Sequence, residues 1–162
     1  MTSPSKPAVP SPVAASGISY LPSGLPAPQP DALTLPYWQG LREERLRVQC
    51  CRHCGTWQFG PEWLCHQCLA FDPDWTQVEP VGRIYSWERV WYAAHPVLRD
   101  HGPYLVVLVE LPHAGGVRML GNLLGDPLQE VRIGAAVRGV YEHHAGGAQP
   151  YSLLQWRLEA AG

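Results

Sequence analysis

Two pairs of cysteines constrain the fold of this 162-residue chain more than any other feature of its sequence. Cys51 and Cys54 form one Cys-x-x-Cys pair, Cys65 and Cys68 form the second, and ten residues separate the two pairs. Two such turns can present four thiolates to one tetrahedral metal ion. The interval is shorter than the common spacing of about 15–20 residues between such pairs. The sequence therefore predicts a compact ribbon closed by a tight hairpin.

Structural zinc is the ion that best fits four thiolates, and iron in a rubredoxin-like four-sulfur site is the alternative. A redox role for either pair is less favoured, because no βαβ pattern surrounds it. Four sulfurs leave no open position for water or substrate, so we expect the metal to stabilise the fold without taking part in a reaction. The position of Cys50 predicts no role for this residue. His53 and His66 are weaker alternatives as metal ligands.

The N-terminal part of the chain divides into an arm and a helix. Eight of the 17 prolines fall within residues 1–30, which contain a single charged residue. This composition predicts a flexible or extended arm, which orders only if it lies along a partner. Residues 31–46 are predicted to form an amphipathic helix with Tyr37, Trp38 and Leu41 on one face. So short a helix must dock, either on the chain's own body or on another subunit.

The rest of the chain is predicted to be mainly β. Residues 47–75 form the ribbon, and residues 76–162 form a second unit in which five strands are predicted. These strands span residues 82–92, 103–111, 117–124, 136–143 and 152–159. Five antiparallel strands with short connections fit an OB-type barrel. The predicted fold is thus an N-terminal helix, a rubredoxin-like zinc ribbon and a five-stranded OB-fold barrel.

Composition argues against several functions. The net charge is −2, and one of the 12 basic residues is a lysine, so the chain lacks the basic surface expected of a nucleic-acid-binding OB module. The longest apolar run, residues 104–109, is far shorter than the roughly 20 residues of a membrane span. We also find no export signal, and we expect a cytoplasmic protein. No nucleophile motif or phosphate-binding loop is present, so we do not expect catalysis by this chain alone.

Several motifs, in the same order along the chain, resemble the acyl-CoA-associated zinc-ribbon/OB-fold family known as domain of unknown function 35. They are Tyr-Trp-Gln-Gly-Leu at 37–41, Cys-Arg-His-Cys-Gly at 51–55, Gly-Arg-Ile-Tyr-Ser-Trp at 82–87, the Pro-Tyr strand at 103–111 and Ile-Gly-Ala-Ala-Val at 133–137. The second cysteine pair departs from the family, which usually has proline after its first cysteine and glycine after its second. Here these positions are His66 and Leu69.

The resemblance implies an auxiliary subunit of an acyl-CoA enzyme. Family members resemble small partners of thiolase-like enzymes, among them lipid-transfer-type aldolases that shorten steroid side chains, and others join MaoC-like enoyl-CoA hydratases. In such complexes the partner carries the catalytic residues, while the small subunit supports the acyl-CoA site. We therefore expect a noncatalytic partner of a thiolase-fold enzyme, with the hydratase as the alternative partner. Tyr37, Trp38 and Leu41 are the expected partner interface.

An acyl-CoA contact is expected on the first barrel strand. Side chains of a strand alternate between its two faces, so Arg83 and Arg89 are predicted to share one face with Tyr85, Trp87 and Trp91. Guanidinium and aromatic groups together can bind the phosphates and adenine of coenzyme A. The alternative is an ordinary barrel face whose guanidinium groups are solvated.

Overall fold

A computed structural model describes residues 20–22, 24–71, 73–146 and 149–160. It has one α-helix, α1, and eight strands, β1 to β8. Their bounds are α1 Leu35–Arg42, β1 Leu46–Cys50, β2 Trp57–Gln58, β3 Asp74–Val78, β4 Val81–Val90, β5 Tyr104–Leu111, β6 Val117–Asn122, β7 Ala136–His144 and β8 Tyr151–Leu158. The predicted mainly β class, with one helix before the ribbon, is confirmed. Residues 1–19 and 23 of the predicted arm lie outside the described residues.

Helix α1 docks on the chain's own body. Pro36 lies in its first turn, and the helix ends at Arg42. Leu41 is completely buried, while Tyr37 and Trp38 are half-buried against the core. The rings of Tyr37 and Phe59 meet edge to face, 5.5 Å apart, which ties the helix to the ribbon. Of the two docking surfaces that the sequence left open, the helix uses the intramolecular one.

A three-stranded antiparallel sheet in the order β2-β1-β3 carries the ribbon. Its central strand, β1, pairs along its whole length with β3, from Leu46 opposite Val78 to Cys50 opposite Asp74. The strand therefore delivers the chain directly to the first cysteine pair. Because β3 leads at once into β4, the ribbon and the barrel follow each other without a linker.

The five long strands form a nearly closed antiparallel barrel in the order β6-β5-β4-β7-β8. The two outer strands meet where Leu123 bridges Trp156, and the Leu124 N–H donates to the Trp156 carbonyl at 2.7 Å. Buried apolar side chains from the strands, α1 and β1 fill one continuous core. They include Leu41, Leu46, Val48, Ile84, Leu105, Val107, Val109, Leu111, Met119, Leu123, Val137, Leu154 and Trp156.

A β-bulge at Tyr85 corrects one prediction about β4. Ile84 pairs with Val109 on β5, but the next paired residue is Ser86, opposite Leu108, so Tyr85 is an extra residue. An extra residue exchanges the two faces of a strand beyond it, because side chains alternate with a period of two.

The regular alternation expected for this strand was therefore wrong. Arg83 pairs with Glu110 and is exposed on the outer face. Beyond the bulge, Trp87 pairs with the buried Val107, and Arg89 follows two residues later on the same inner side. Arg83 and Arg89 thus do not share a face.

No helix in the described part of the chain is long and apolar enough to cross a membrane.

Candidate metal centre and binding surfaces

The sulfur atoms of Cys51, Cys54, Cys65 and Cys68 converge on one point. All four lie within 4.8 Å of one another. The sulfurs of Cys51 and Cys68 are 3.6 Å apart, as are those of Cys54 and Cys65. A tetrahedral ion with bonds of about 2.3 Å requires sulfur–sulfur distances of about 3.8 Å. The four predicted ligands therefore fit one metal ion.

Two equivalent turns hold the sulfurs in place. The Gly55 N–H donates to the Cys51 carbonyl, and the Leu69 N–H donates to the Cys65 carbonyl, at 2.8 and 2.9 Å. Both Gly55 and Leu69 have a left-handed backbone conformation, with φ angles of 73° and 59°. Glycine adopts this conformation freely, whereas leucine pays a steric cost of about 1–2 kcal/mol. The second turn therefore has the same backbone geometry as the first, although leucine stands where the first has glycine.

Hydrogen bonds favour the ionised form of the first cysteine pair. The hydroxyl and backbone N–H of Thr56 lower the pKa of Cys54 to about 6. The backbone N–H of Cys54 is the main cause of a lowered pKa at Cys51. At Cys68, the Ala70 N–H favours the thiolate, but burial and the three neighbouring thiols together raise the pKa to about 12. Four crowded sulfurs ionise together only when a cation offsets their repulsion, as a bound metal does.

The other candidate ligands lie outside this cluster. The Cys50 sulfur is 3.6 Å from the Gly55 carbonyl oxygen, and burial raises the pKa of its thiol. A ring nitrogen of His66 lies 3.2 Å from the side-chain oxygen of Gln58, and this contact holds the His66 ring next to β2. Among the described residues, the metal-binding group consists of the four cysteines of the two Cys-x-x-Cys sequences. Cys50, His53 and His66 are not part of it.

Arg89 anchors the connection between β6 and β7. Its Nε donates to the Pro127 carbonyl and its Nη2 to the Gln129 carbonyl, both at 2.8 Å. The guanidinium carbon also lies 5.4 Å from the centre of the Trp87 ring. These bonds use the donors that were expected to face a coenzyme A phosphate. The side chain therefore holds this connection through two hydrogen bonds.

Large apolar side chains are exposed on both the ribbon and the barrel. On the ribbon, Leu69 is 69% exposed and Phe71 is 80% exposed. Near the end of β4, Trp91 is 68% exposed and Tyr92 is 88% exposed. Exposed aromatic residues of this size are typical of surfaces that a partner or ligand covers.

A buried carboxylate, missed by the sequence analysis, lies on the outside of the β7–β8 pair. Glu142 is 0% exposed, and its Oε2 accepts a bond of 2.7 Å from the side-chain amide of Gln155. The amide oxygen of Gln155 in turn accepts from the backbone and side chain of Asn122, at 2.7 and 3.1 Å. This network joins β7, β8 and β6 where the barrel closes. In sequence, Glu142 precedes two histidines and looks like an ordinary surface acid.

Family comparisons match both parts of this structure. A model described as the ChsH2 rubredoxin-like zinc ribbon domain matches residues 38–74, and one described as the ChsH2 C-terminal OB-fold domain matches residues 75–142. The chain belongs to the ChsH2 family. The ribbon with its four cysteines and the barrel that follows it are therefore the two domains of this family, as the sequence motifs implied.

Solved structures agree with this family assignment. The structure described as the Ltp2-ChsH2(DUF35) aldolase matches with a TM-score of 0.68 and 28% identity, over 82% of this chain and 98% of that chain. A DUF35-family protein of unknown function from Sulfolobus solfataricus matches with a TM-score of 0.53 and 14% identity, over 79% of this chain and 86% of that one. The second likeness shows a shared fold.

A curated relative adds a second enzyme class. The chain is 32% identical over 101 residues to a probable enoyl-CoA hydratase alpha subunit from Thermomonospora curvata. The match covers 62% of this chain but 30% of that relative. The match thus spans less than a third of the length of this relative.

Proposed function

We propose that this chain is the noncatalytic ChsH2-type subunit of an aldolase complex, in which a lipid-transfer-type thiolase-fold partner carries the catalytic residues. The main support for this proposal is the match to the Ltp2-ChsH2 aldolase, which extends over 98% of the matched chain and includes both the ribbon and the barrel. The exposed apolar side chains of both units offer a surface for such a partner. Tyr37 and Trp38, half-buried at the helix surface, remain proposed interface residues, whereas Leu41 is enclosed within the chain.

We infer that the ion in the ribbon is zinc, with iron as the alternative that the same four sulfurs would accept. The family match to a zinc ribbon and the closed set of four cysteines support zinc. When bound, the ion supplies charge compensation and cross-links the two turns. Because its ligand set is complete, it provides no position for a substrate. Metal-binding thiolates also need a reducing compartment, which supports the proposed cytoplasmic location.

Contact with acyl-CoA remains a proposal for the β4 region. Trp91 is 68% exposed and can stack on a planar ring, and Arg83 is exposed on the outer face of β4. Trp87 and Arg89 lie on the other face, where Arg89 holds backbone carbonyls. In this proposal the two inner residues support the β6–β7 connection, and the exposed pair is available to the ligand.

A MaoC-like enoyl-CoA hydratase is a second candidate partner. The observation that favours it is the 32% identity to a probable enoyl-CoA hydratase alpha subunit. Both candidates are acyl-CoA enzymes, so they differ in the reaction that the complex performs: cleavage of a carbon–carbon bond for the aldolase, and addition of water to a double bond for the hydratase.

Reconstitution with the thiolase-fold partner tests the proposal. We expect the chain alone to cleave no β-hydroxyacyl-CoA, and the mixture to cleave it at least about tenfold faster than the partner alone, because the subunit supports the acyl-CoA site. The measurement follows release of the shortened acyl-CoA by chromatography, with hydration of an enoyl-CoA as the parallel assay. Cleavage by the chain alone, or a partner whose rate is unchanged by it, would contradict the proposal.

A further inference from the structure

We propose that residues 20–22 and 24–30 form a strap that lies over the ligand-binding loops of the barrel, with Glu142 as its latch. OB-fold barrels bind ligands with the loop between their first and second strands and the loop between their fourth and fifth. In this chain those loops are the connections β4–β5, residues 91–103, and β7–β8, of which residues 145–146 and 149–150 are described. The strap contacts the first connection and faces the second across an open groove.

The latch is the strongest contact. The backbone N–H groups of Tyr20 and Leu21 both donate to Oε1 of Glu142, at 2.7 and 2.6 Å. Charge-assisted bonds to a buried carboxylate are shorter and roughly twice as strong as neutral ones. The other oxygen of Glu142 is fixed by Gln155, and the His144 Nε2 lies 3.2 Å from Oε1. The barrel therefore orients this carboxylate toward two successive N–H groups.

Further contacts place the strap between the two loops. On the β4–β5 side, the rings of Tyr20 and His101 meet edge to face, 5.8 Å apart. Gly24 lies close to Val97 of the same connection, since a Cβ built on it would be 3.7 Å from that side chain. On the β7–β8 side, strap residues form one wall of a 990 Å³ groove. The opposite wall includes His143, the stacked rings of His144 and Tyr151, and Gln149.

The chemistry of the latch suits a peptide backbone. Glu142 binds two successive N–H groups at a bend of the strap, and backbone donors require no particular side chain. Prolines at four of the strap positions favour an extended polyproline conformation, so ordering the strap costs little entropy. The strap therefore acts as a bound peptide that the chain supplies to itself, beside the loops with which other OB barrels bind their ligands.

A proline substitution in the strap tests the latch without touching the barrel. Leu21→Pro removes one of the two N–H donors, whereas Ala27→Pro changes a strap residue whose N–H has no partner among the described residues. Nuclear magnetic resonance of the full chain gives the readouts: amide exchange at Tyr20 and the cross-relaxation between the Tyr20 and His101 rings. The indole signal of Trp156 serves as the check on the fold.

In the native chain we expect the Tyr20 and Leu21 amides to exchange at least about tenfold more slowly than the Gln29 amide. Leu21→Pro should raise the exchange rate at Tyr20 to that of Gln29 and remove the ring contact, and Ala27→Pro should preserve both. Glu142→Gln, which keeps the shape of the side chain, should act like Leu21→Pro. Rapid exchange in the native chain, or a ring contact that survives Leu21→Pro, would overturn the proposal.

The vacated strap site at Glu142 should accept the same peptide from solution. A synthetic peptide of residues 20–30, added at millimolar concentration to the Leu21→Pro chain, should shift the side-chain amide signal of Gln155. The native chain should show no such shift, because its own strap competes at a high effective concentration. Equal shifts in both chains, or none in the variant, would contradict a peptide-binding site at this place.

Discussion

Replacing Cys51 with serine should reduce the metal content from about one ion per chain to a small fraction of that, and should unfold the ribbon. The reason is that the four sulfurs form one closed set, with 3.6 Å between Cys51 and Cys68, and a serine hydroxyl is a poor replacement for a thiolate. Binding free energies of structural zinc are about 10–16 kcal/mol in zinc-finger peptides, so the loss removes the main support of this unit. Metal analysis and amide exchange over residues 51–71 measure the two effects.

Cys50→Ser is the matched control for this experiment. Cys50 is adjacent in sequence, but its sulfur lies outside the metal-binding group and contacts the Gly55 carbonyl. We expect this variant to keep its metal and its ribbon. A Cys51→Ser chain that retains both metal and an ordered ribbon would contradict the four-cysteine site, and so would a Cys50→Ser chain that loses them.

Trp156→Ala should have the largest effect on the barrel. Trp156 is 0% exposed, and its backbone forms the bridge to Leu123 that brings the outer strands together. Its indole is so close to Gly121 that a Cβ built there would lie 2.7 Å from the ring. Loss of a fully buried tryptophan costs about 3–5 kcal/mol of the free energy of unfolding. Urea denaturation followed by circular dichroism measures this loss.

Trp91→Ala provides the comparison, because Trp91 is 68% exposed on the same barrel. A surface substitution of this kind changes the free energy of unfolding by about 0.5 kcal/mol or less. Equal destabilisation by the two variants would mean that Trp156 does not hold the barrel closed as its burial indicates.

The parts of the fold that local spacing determines could be predicted from the sequence. The four sulfurs of two Cys-x-x-Cys pairs must come together around one metal ion. The spacing of the cysteines between Cys51 and Cys68 is therefore enough to predict the ribbon. The barrel strands follow from apolar runs and the turn residues between them, and the five observed strands overlap the predicted ones.

The features that depend on one inserted residue or on a distant segment could not be predicted. A bulge adds a single residue, Tyr85, which leaves no recognisable mark in the sequence of the strand. Alternation places Glu142 and Gln155 on the outer face of the barrel, and they are buried because the chain from Tyr20 onward covers that face. Likewise, an apolar helix face shows that α1 must dock but not on which surface.

Purification of the tagged chain from its native cells, with mass spectrometry of the proteins that accompany it, tests the central claim most directly. The account predicts a thiolase-fold enzyme in near-equal amount with this ChsH2-type subunit. A MaoC-like hydratase in that amount would instead favour the second candidate. A chain that purifies alone, or with nucleic acid in place of an acyl-CoA enzyme, would contradict the account.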